Sequence, residues 1–223
     1  MIPWEILARV KVPGGGEELS LHRRGHEYQI KVDKSLLMSN LAHASEESLA
    51  KIGLSRLVNA KKSTVLIGGL GMGFTLAAVL SRLGPESSVH VAELVPAVVE
   101  WNRGLISHLA GHPLRDPRVK VLEADVALVL KNARGAYDAI LQDVDNGPRG
   151  LTVKSNDWLY SEAGLLAAAS ALRPHGVLAF WADKPDKKFL KLVRKTGFEV
   201  KEVPVRGRDG HRGAHHVVWL AFL

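Results

Sequence analysis

Cysteine and long apolar runs are both missing from this sequence of 223 residues. Without cysteine the chain can form no disulfide, no thiolate nucleophile and no cysteine-ligated metal site, which fits a reducing compartment. No stretch approaches the roughly 20 apolar residues of a membrane-spanning helix. The opening residues MIPWEILARVKV carry charges where a signal peptide has an apolar run. We therefore expect a soluble, cytoplasmic protein with no membrane partner.

Basic residues outnumber acidic ones, 30 to 23, for a formal net charge of +7. Such an excess permits nucleic-acid binding, so the distribution of the charge has to be considered. The densest basic stretch, VRGRDGHRGAHH, has no interleaved aromatic residues and lies between two strand-like runs, as a solvated hairpin loop would. A nucleic-acid partner is therefore not expected. His211, His215 and His216 are interpreted as loop residues, so no metal is expected either.

Short β-rich runs open the chain. The stretches WEILARVKV, ELSLHR and HEYQIKVD predict a small antiparallel unit of two or three strands. From Ser63 onward, apolar β-type runs alternate with helical ones, which is the pattern of a parallel sheet covered by helices on both faces. The last two runs, EVKEVPV and HHVVWLAFL, have only a loop between them and predict an antiparallel hairpin.

These patterns predict an α/β fold, with a doubly wound, mostly parallel sheet of seven strands that ends in the hairpin. The length suits one ordinary domain with a small appendage. We assign residues 1–40 to the small N-terminal β unit and residues 41–223 to a Rossmann-like, nucleoside-binding transferase domain.

A glycine-rich turn follows the first strand of the alternating region. In VLIGGLGMGF, residues 65–74, four glycines separate a strand from a helix: Gly68, Gly69, Gly71 and Gly73. Missing Cβ atoms let the backbone turn sharply and approach a ligand, with the helix N-terminus facing it. Glycine spacing alone is weak support, and a purely structural turn is the alternative.

Acidic residues end the strands that follow. Glu93 ends the second strand of this region, Asp125 follows the third, and Asp143 follows the fourth together with Asp145 and Asn146. Ligands of open α/β sheets bind at this carboxyl edge, which favours a nucleoside site. Each carboxylate has a structural alternative: Glu93 and Asp125 at helix N-termini, and Asp143 capping the turn that follows it.

The stretches STVLIGGLGMG, VHVAELVPAVVEWNR, DPRVKVLEAD, YDAILQDVDNGP and LRPHGVLAFW together resemble the spermidine synthase family of polyamine aminopropyltransferases. The family shares the fold of class I S-adenosylmethionine-dependent methyltransferases and carries a small N-terminal β domain. The resemblance implies that Glu93 binds the ribose and that Asp125 binds the adenine. It further implies that Asp143 is the catalytic base that prepares the attacking amine. It also implies that Glu46 and Glu47 occupy substrate-side positions on a helix before the glycine loop.

One residue departs from the family pattern. The family's glycine loop carries an aspartate that holds the ammonium of the decarboxylated donor, and Gly71 stands there. An aspartate would repel the carboxylate of intact S-adenosylmethionine, whereas bare amides would accept it. The sequence therefore favours methyl transfer from S-adenosylmethionine. The alternatives are aminopropyl transfer from decarboxylated S-adenosylmethionine and a nucleoside-binding protein without turnover.

The acceptor side is less specific. Near the same edge of the sheet, Asp145 and Asn146 are predicted to contact the substrate. Trp158, Tyr160 and Trp181 could wall an acceptor pocket, with ordinary core packing as the alternative. The expected partner is a small-molecule acceptor such as an amine, and a homodimer is left open.

Overall fold

The N-terminal region folds as an antiparallel sheet in a computed structural model that describes residues 2–144, 154–208 and 212–223. Its strands, in spatial order, are β1 (Glu5–Lys11), β2 (Glu18–Arg24), β3 (Glu27–Val32) and β4 (Ser35–Ser39). Alternate residues of β2 and β3 face the interior, where Leu21 opposes Ile30 and Leu19 opposes Val32. The sheet has four strands where the sequence predicted two or three, and β4, which the sequence did not indicate, is short and half-exposed.

A second sheet of seven strands forms the larger part of the protein. Its strands are β5 (Thr64–Gly68), β6 (Ser88–Glu93), β7 (Val119–Glu123), β8 (Tyr137–Gln142), β9 (Leu172–Ala182), β10 (Glu199–Arg208) and β11 (Arg212–Phe222). The spatial order is β10-β11-β9-β8-β5-β6-β7. Strands β5 to β9 are parallel, whereas β11 runs antiparallel to both β9 and β10. The predicted fold class, including the terminal hairpin, is confirmed. The division at residues 40 and 41 stays a prediction.

Helices cover both faces of the seven-stranded sheet. They are α1 (Ala44–Gly53), α2 (Phe74–Leu80), α3 (Pro96–Arg103), α4 (Val126–Asn132), α5 (Glu162–Ala171) and α6 (Lys187–Lys195). In the described part of the chain, short 3-10 segments accompany them at Ser107–Ala110, Pro113–Arg115 and Lys154–Tyr160. Among the described residues, no helix combines the length and apolar character needed to cross a membrane.

The central strands separate two apolar cores. Val65 and Ile67 of β5 face a core shared with the N-terminal sheet, α1, α2 and α3. Leu66 of the same strand and Ile140 of β8 face the opposite core, formed with α4, α5 and α6. All four side chains are fully buried. Burial on both faces explains why these strands are continuously apolar in sequence.

Strand β5 has β6 on one side and β8 on the other, and it is parallel to both. The order in which successive strands are added to the sheet therefore reverses at β5. Such a switch point leaves a crevice beyond the carboxyl ends of the strands. Gly68, Glu93 and Asp143 therefore lie close together, although they are far apart in the chain. The candidate site is at this edge.

Adjacent leucines of α5 give a matched test of the core. Leu165 is fully buried and Leu166 is 51% exposed. We expect Leu165→Ala to lower the free energy of unfolding by about 2–5 kcal/mol, because it leaves a cavity. Leu166→Ala should change it by less than about 0.5 kcal/mol. Denaturant unfolding of both variants measures the difference, and equal losses would contradict the assignment of α5 to the core.

Candidate active site

The glycine loop lies against the end of β8. A Cβ atom at Gly69 would overlap the carbonyl oxygen of Asp143, and Gly69 has a φ of +89°. At Gly71, with a φ of +53°, a Cβ would lie 2.7 Å from the Cε of Met38. The left-handed backbone favours glycine at both positions, and at Gly69 the backbone of Asp143 also leaves no room for a side chain. Both residues also line the cavity described next.

A cavity of about 470 Å³ lies between the N-terminal sheet, α1 and the carboxyl edge of the large sheet. This volume is typical of sites for small molecules. Among the described residues, five carboxylates contribute to its lining: Glu46, Glu93, Asp125, Asp143 and Asp183. No lysine or arginine belongs to the lining that the side chains of residues 2–144, 156–208 and 213–223 form. The cavity is therefore suited to positively charged ligands.

Glu93 joins two loops at the edge of the sheet. Its Oε2 accepts a hydrogen bond from the Leu70 amide, and its Oε1 accepts one from the Val95 amide, each at 2.9 Å. Burial raises the pKa of the Glu93 carboxyl, and these amides act in the opposite direction. Val95 is the N-cap residue of α3, so the structural alternative for Glu93 is present. The amides of Leu94 and Gly71 also act on this carboxyl. A carboxylate oxygen that accepts one amide has a further lone pair with which it could accept a ribose hydroxyl.

Asp125 is the N-cap residue of α4. Its Oδ1 accepts a hydrogen bond of 2.8 Å from the Ala127 amide, as the capping alternative predicts. The residue also belongs to the lining of the cavity. Capping therefore coexists with a position from which Asp125 could contact a ligand, and contact with adenine stays a prediction.

Asp143 is held by two elements. Its amide donates to the carbonyl of Gly68 at 2.8 Å, and its Oδ2 accepts from the Thr75 hydroxyl at 2.5 Å. Burial raises the pKa of Asp143 to about 6, although the Thr75 hydrogen bond acts in the opposite direction. Glu46 approaches from α1, and burial together with the nearby Asp143 raises its pKa to about 7. The two carboxyls form an electrostatically linked pair.

Glu47 does not join this pair. Its Oε1 lies 2.9 Å from the Nδ1 of His43, its side chain is 46% exposed, and it is not among the residues that line the cavity. The predicted contacts Asp145 and Asn146 lie outside the described residues. The turn that Asp143 was alternatively predicted to cap lies there as well.

Two of the predicted aromatic contacts lie elsewhere. Tyr160 is buried against Phe180 and Phe189, and its hydroxyl donates to the carbonyl of Val144 at 3.1 Å. Trp158 is half-buried, with the Nζ of Lys131 lying 4.4 Å from its ring centroid. Neither residue lines the cavity. The packing alternative agrees with these positions.

Strands β9 and β11 bring further groups to the cavity. Trp181 lines it as the sequence suggested, and Asp183 and His216 accompany it. The Nδ1 of His216 lies 3.4 Å from a carboxylate oxygen of Asp183, and the rings of Trp181 and His216 are 4.8 Å apart. Burial lowers the pKa of His216, and Asp183 opposes this change. Sequence reasoning missed Asp183, although its position just after an apolar strand was the signal that identified Asp143.

Replacing Glu93 tests the ribose contact. We expect Glu93→Ala to weaken binding of an adenosyl ligand by about 1.5–3 kcal/mol, because a charge-assisted acceptor is lost. Thermal stability should also fall, since the amides of Leu70 and Val95 lose their acceptor. Calorimetric titration with methylthioadenosine measures the affinity. Glu123→Ala is the control. Glu123 lies beside Glu93 on the neighbouring strand β7, but it is exposed. Unchanged affinity in a folded Glu93→Ala variant would exclude the contact.

The carboxyl pair predicts a pH-dependent stability. Folded-state pKa values of about 6 for Asp143 and about 7 for Glu46 exceed those of an unfolded chain. The folded state therefore binds these protons more tightly, and its stability falls as the pH rises through both values. We expect the ligand-free Glu46→Gln variant to gain melting temperature over the wild type between about pH 5 and about pH 8. The titration of histidines changes the melting temperatures of the variant and the wild type alike, so it cancels in their difference. A difference that stays constant with pH would contradict the linkage.

Known proteins are similar to this chain in sequence and in fold. A model of the spermine/spermidine synthase domain matches residues 42–202. Polyamine aminopropyltransferase 1 of Streptomyces coelicolor is 30% identical over 151 residues, which cover 64% of this chain and 28% of that protein. Polyamine aminopropyltransferase of Korarchaeum cryptofilum is 30% identical over 132 residues, covering 59% of this chain and 38% of that protein. This chain therefore aligns with well under half of each relative's length.

The fold has a solved counterpart. The crystal structure of spermidine synthase from Thermotoga maritima matches with a TM-score of 0.76 at 18% identity, over 97% of this chain and 72% of that chain. This similarity shows that the two proteins share a Rossmann-like fold. Because the family model covers more than half of the sequence, the chain belongs to the spermine/spermidine synthase family.

Proposed function

We propose that this protein transfers an aminopropyl group from decarboxylated S-adenosylmethionine to an amine. The observation that carries the proposal is the charge of the cavity, where five carboxylates occur and the described lining includes no lysine or arginine. The decarboxylated donor carries a sulfonium and an ammonium, and polyamine acceptors are cationic. The names of the curated relatives, both polyamine aminopropyltransferases, support the same activity.

The geometry of the glycine loop weakens the case for intact S-adenosylmethionine. The Leu70 amide donates to Glu93, the Gly69 amide to the Ala92 carbonyl, and the Gly73 amide to the Leu70 carbonyl. These three amides are therefore not available to the carboxylate of a donor, and the Gly71 amide also acts on the Glu93 carboxyl and lowers its pKa. Helix α2, which follows the loop, has only seven residues and so a small dipole. The preference for methyl transfer relied on free amides at this loop, and aminopropyl transfer fits the site better.

The proposed reaction is a displacement at carbon. The neutral amine attacks the aminopropyl carbon bonded to sulfur, a C–N bond forms, and the C–S electron pair remains on sulfur. Methylthioadenosine then leaves as a neutral thioether. The amine must lose one proton, and Asp143 is the proposed acceptor, with one oxygen held by Thr75. Glu93 and Asp125 are proposed to hold the ribose and the adenine.

Product analysis tests the activity. The protein is incubated with either donor and a panel of diamines and longer polyamines, and products are identified by mass spectrometry. We expect methylthioadenosine and an amine extended by one aminopropyl group, formed only from the decarboxylated donor. Formation of S-adenosylhomocysteine would instead establish methyl transfer. Tight nucleoside binding without any product would establish a binding protein that lacks turnover.

Asp143→Asn tests the proposed base. The amide keeps the shape of the side chain but cannot take a proton, so transfer should fall by about 10²-fold or more. Nucleoside affinity should stay near the wild-type value, and the melting temperature should not fall, because the variant removes a buried charge whose pKa is raised in the folded state. All three quantities are measured on one preparation, with single-turnover conditions for transfer. A stable variant with wild-type turnover would exclude Asp143 as the base, and activity lost only in proportion to folded protein would indicate a structural role.

A further inference from the structure

Glu46 is the acidic residue of the cavity that comes from α1. The hydroxyl of Ser45 donates to its Oε2 at 2.6 Å, which orients the carboxyl. The ring of His43 stacks on Phe74, the first residue of α2, with 4.1 Å between the ring centroids. This contact holds the start of α1 against the end of the glycine loop. Glu46 therefore lines the cavity from the part of α1 that packs next to the glycine loop.

The carboxyl of Glu46 faces a second buried acid, Asp143. Its carboxyl interacts with Asp143, and burial raises the pKa of both groups. The neighbouring Glu47 adds a further small repulsion. In the described part of the chain, the cavity lining contains neither lysine nor arginine. Two buried carboxylates are stabilised together when a cation lies between them.

The glycine loop itself supplies no carboxylate to this region. The space next to Gly71 is filled by the thioether of Met38, which comes from β4 of the N-terminal sheet. Ser45, Glu46, Gly71 and Met38 all line the cavity on this side. A cationic group that extends from a nucleoside along the loop would reach Glu46 and Asp143. Asp183, Trp181 and His216 come from β9 and β11, and they offer a separate carboxylate for the second substrate.

We propose that Glu46 is a specificity-determining residue that binds the aminopropyl ammonium of the donor, with Asp143 on the other side of the same group. The assignment rests on the proposed function, because it takes the donor to be the decarboxylated form. It also gives a reason for donor selection. The carboxylate of intact S-adenosylmethionine would lie near both acidic side chains, and repulsion would weaken its binding.

The test compares ligands that differ in the ammonium group. Methylthioadenosine has the nucleoside and the sulfur but no aminopropyl arm, so it serves as the internal control. In calorimetric titrations we expect Glu46→Gln to bind decarboxylated S-adenosylmethionine about 10- to 100-fold more weakly than the wild type. Its affinity for methylthioadenosine should stay within about threefold. Glu46→Asp, which keeps the charge, should recover part of the loss.

Glu100→Gln is the matched surface control, because Glu100 pairs with Arg103 and its side chain is 65% exposed. It should bind both ligands as the wild type does. Equal weakening of both ligands in Glu46→Gln would overturn the assignment, because Glu46 would then support the nucleoside site as a whole. Unchanged affinity for the decarboxylated donor would overturn it as well. The assignment would also be overturned if the wild-type protein bound this donor no more tightly than it binds methylthioadenosine.

These outcomes are separable from those of the proposed function. Binding that depends on Glu46 but leads to no transfer would uphold the ammonium site and reject the enzyme activity. Aminopropyl transfer with full donor affinity in Glu46→Gln would uphold the activity and reject the site. The binding measurement therefore tests the ammonium site, and the product analysis independently tests the enzyme activity.

Discussion

The close approach of the glycine loop to the end of β8 is the constraint on which the site depends. A side chain at Gly69 would overlap the carbonyl of Asp143, and the amide of Asp143 donates to the carbonyl of Gly68. This backbone contact brings the Asp143 side chain beside α2, where Thr75 donates to it. The loop, the central strands and the buried carboxylate therefore hold one another in place.

Carboxylates organise the backbone of this site as well as its charge. Glu93 accepts hydrogen bonds from the amides of two loops, and Asp125 caps α4. Both also face the cavity. The structural and functional interpretations of these residues are consequently not exclusive, because a carboxylate oxygen that accepts one amide can still accept a ligand hydroxyl.

Positions at the carboxyl edge were predictable because parallel strands end together. Glu93, Asp125 and Asp143 follow apolar strands in the sequence, and the structure brings all three to one cavity. The same rule applied to β9 would have identified Asp183. Trp158 and Tyr160 are not among the residues that line the cavity, since proximity to a strand end does not decide which way an aromatic ring turns. Both rings pack away from the cavity.

The sequence by itself determined the alternation of strands and helices, the glycine turn and the acidic strand ends, because each depends on neighbouring residues in the chain. Only the tertiary structure decided the charge that a ligand meets. Met38 fills the space at Gly71, and Glu46 is brought close to Asp143. These groups come from segments far apart in the sequence, and local periodicity carries no information about which of them pack together. The proposed donor is the decarboxylated form because carboxylates from distant segments share one cavity and amides of the glycine loop already have acceptors.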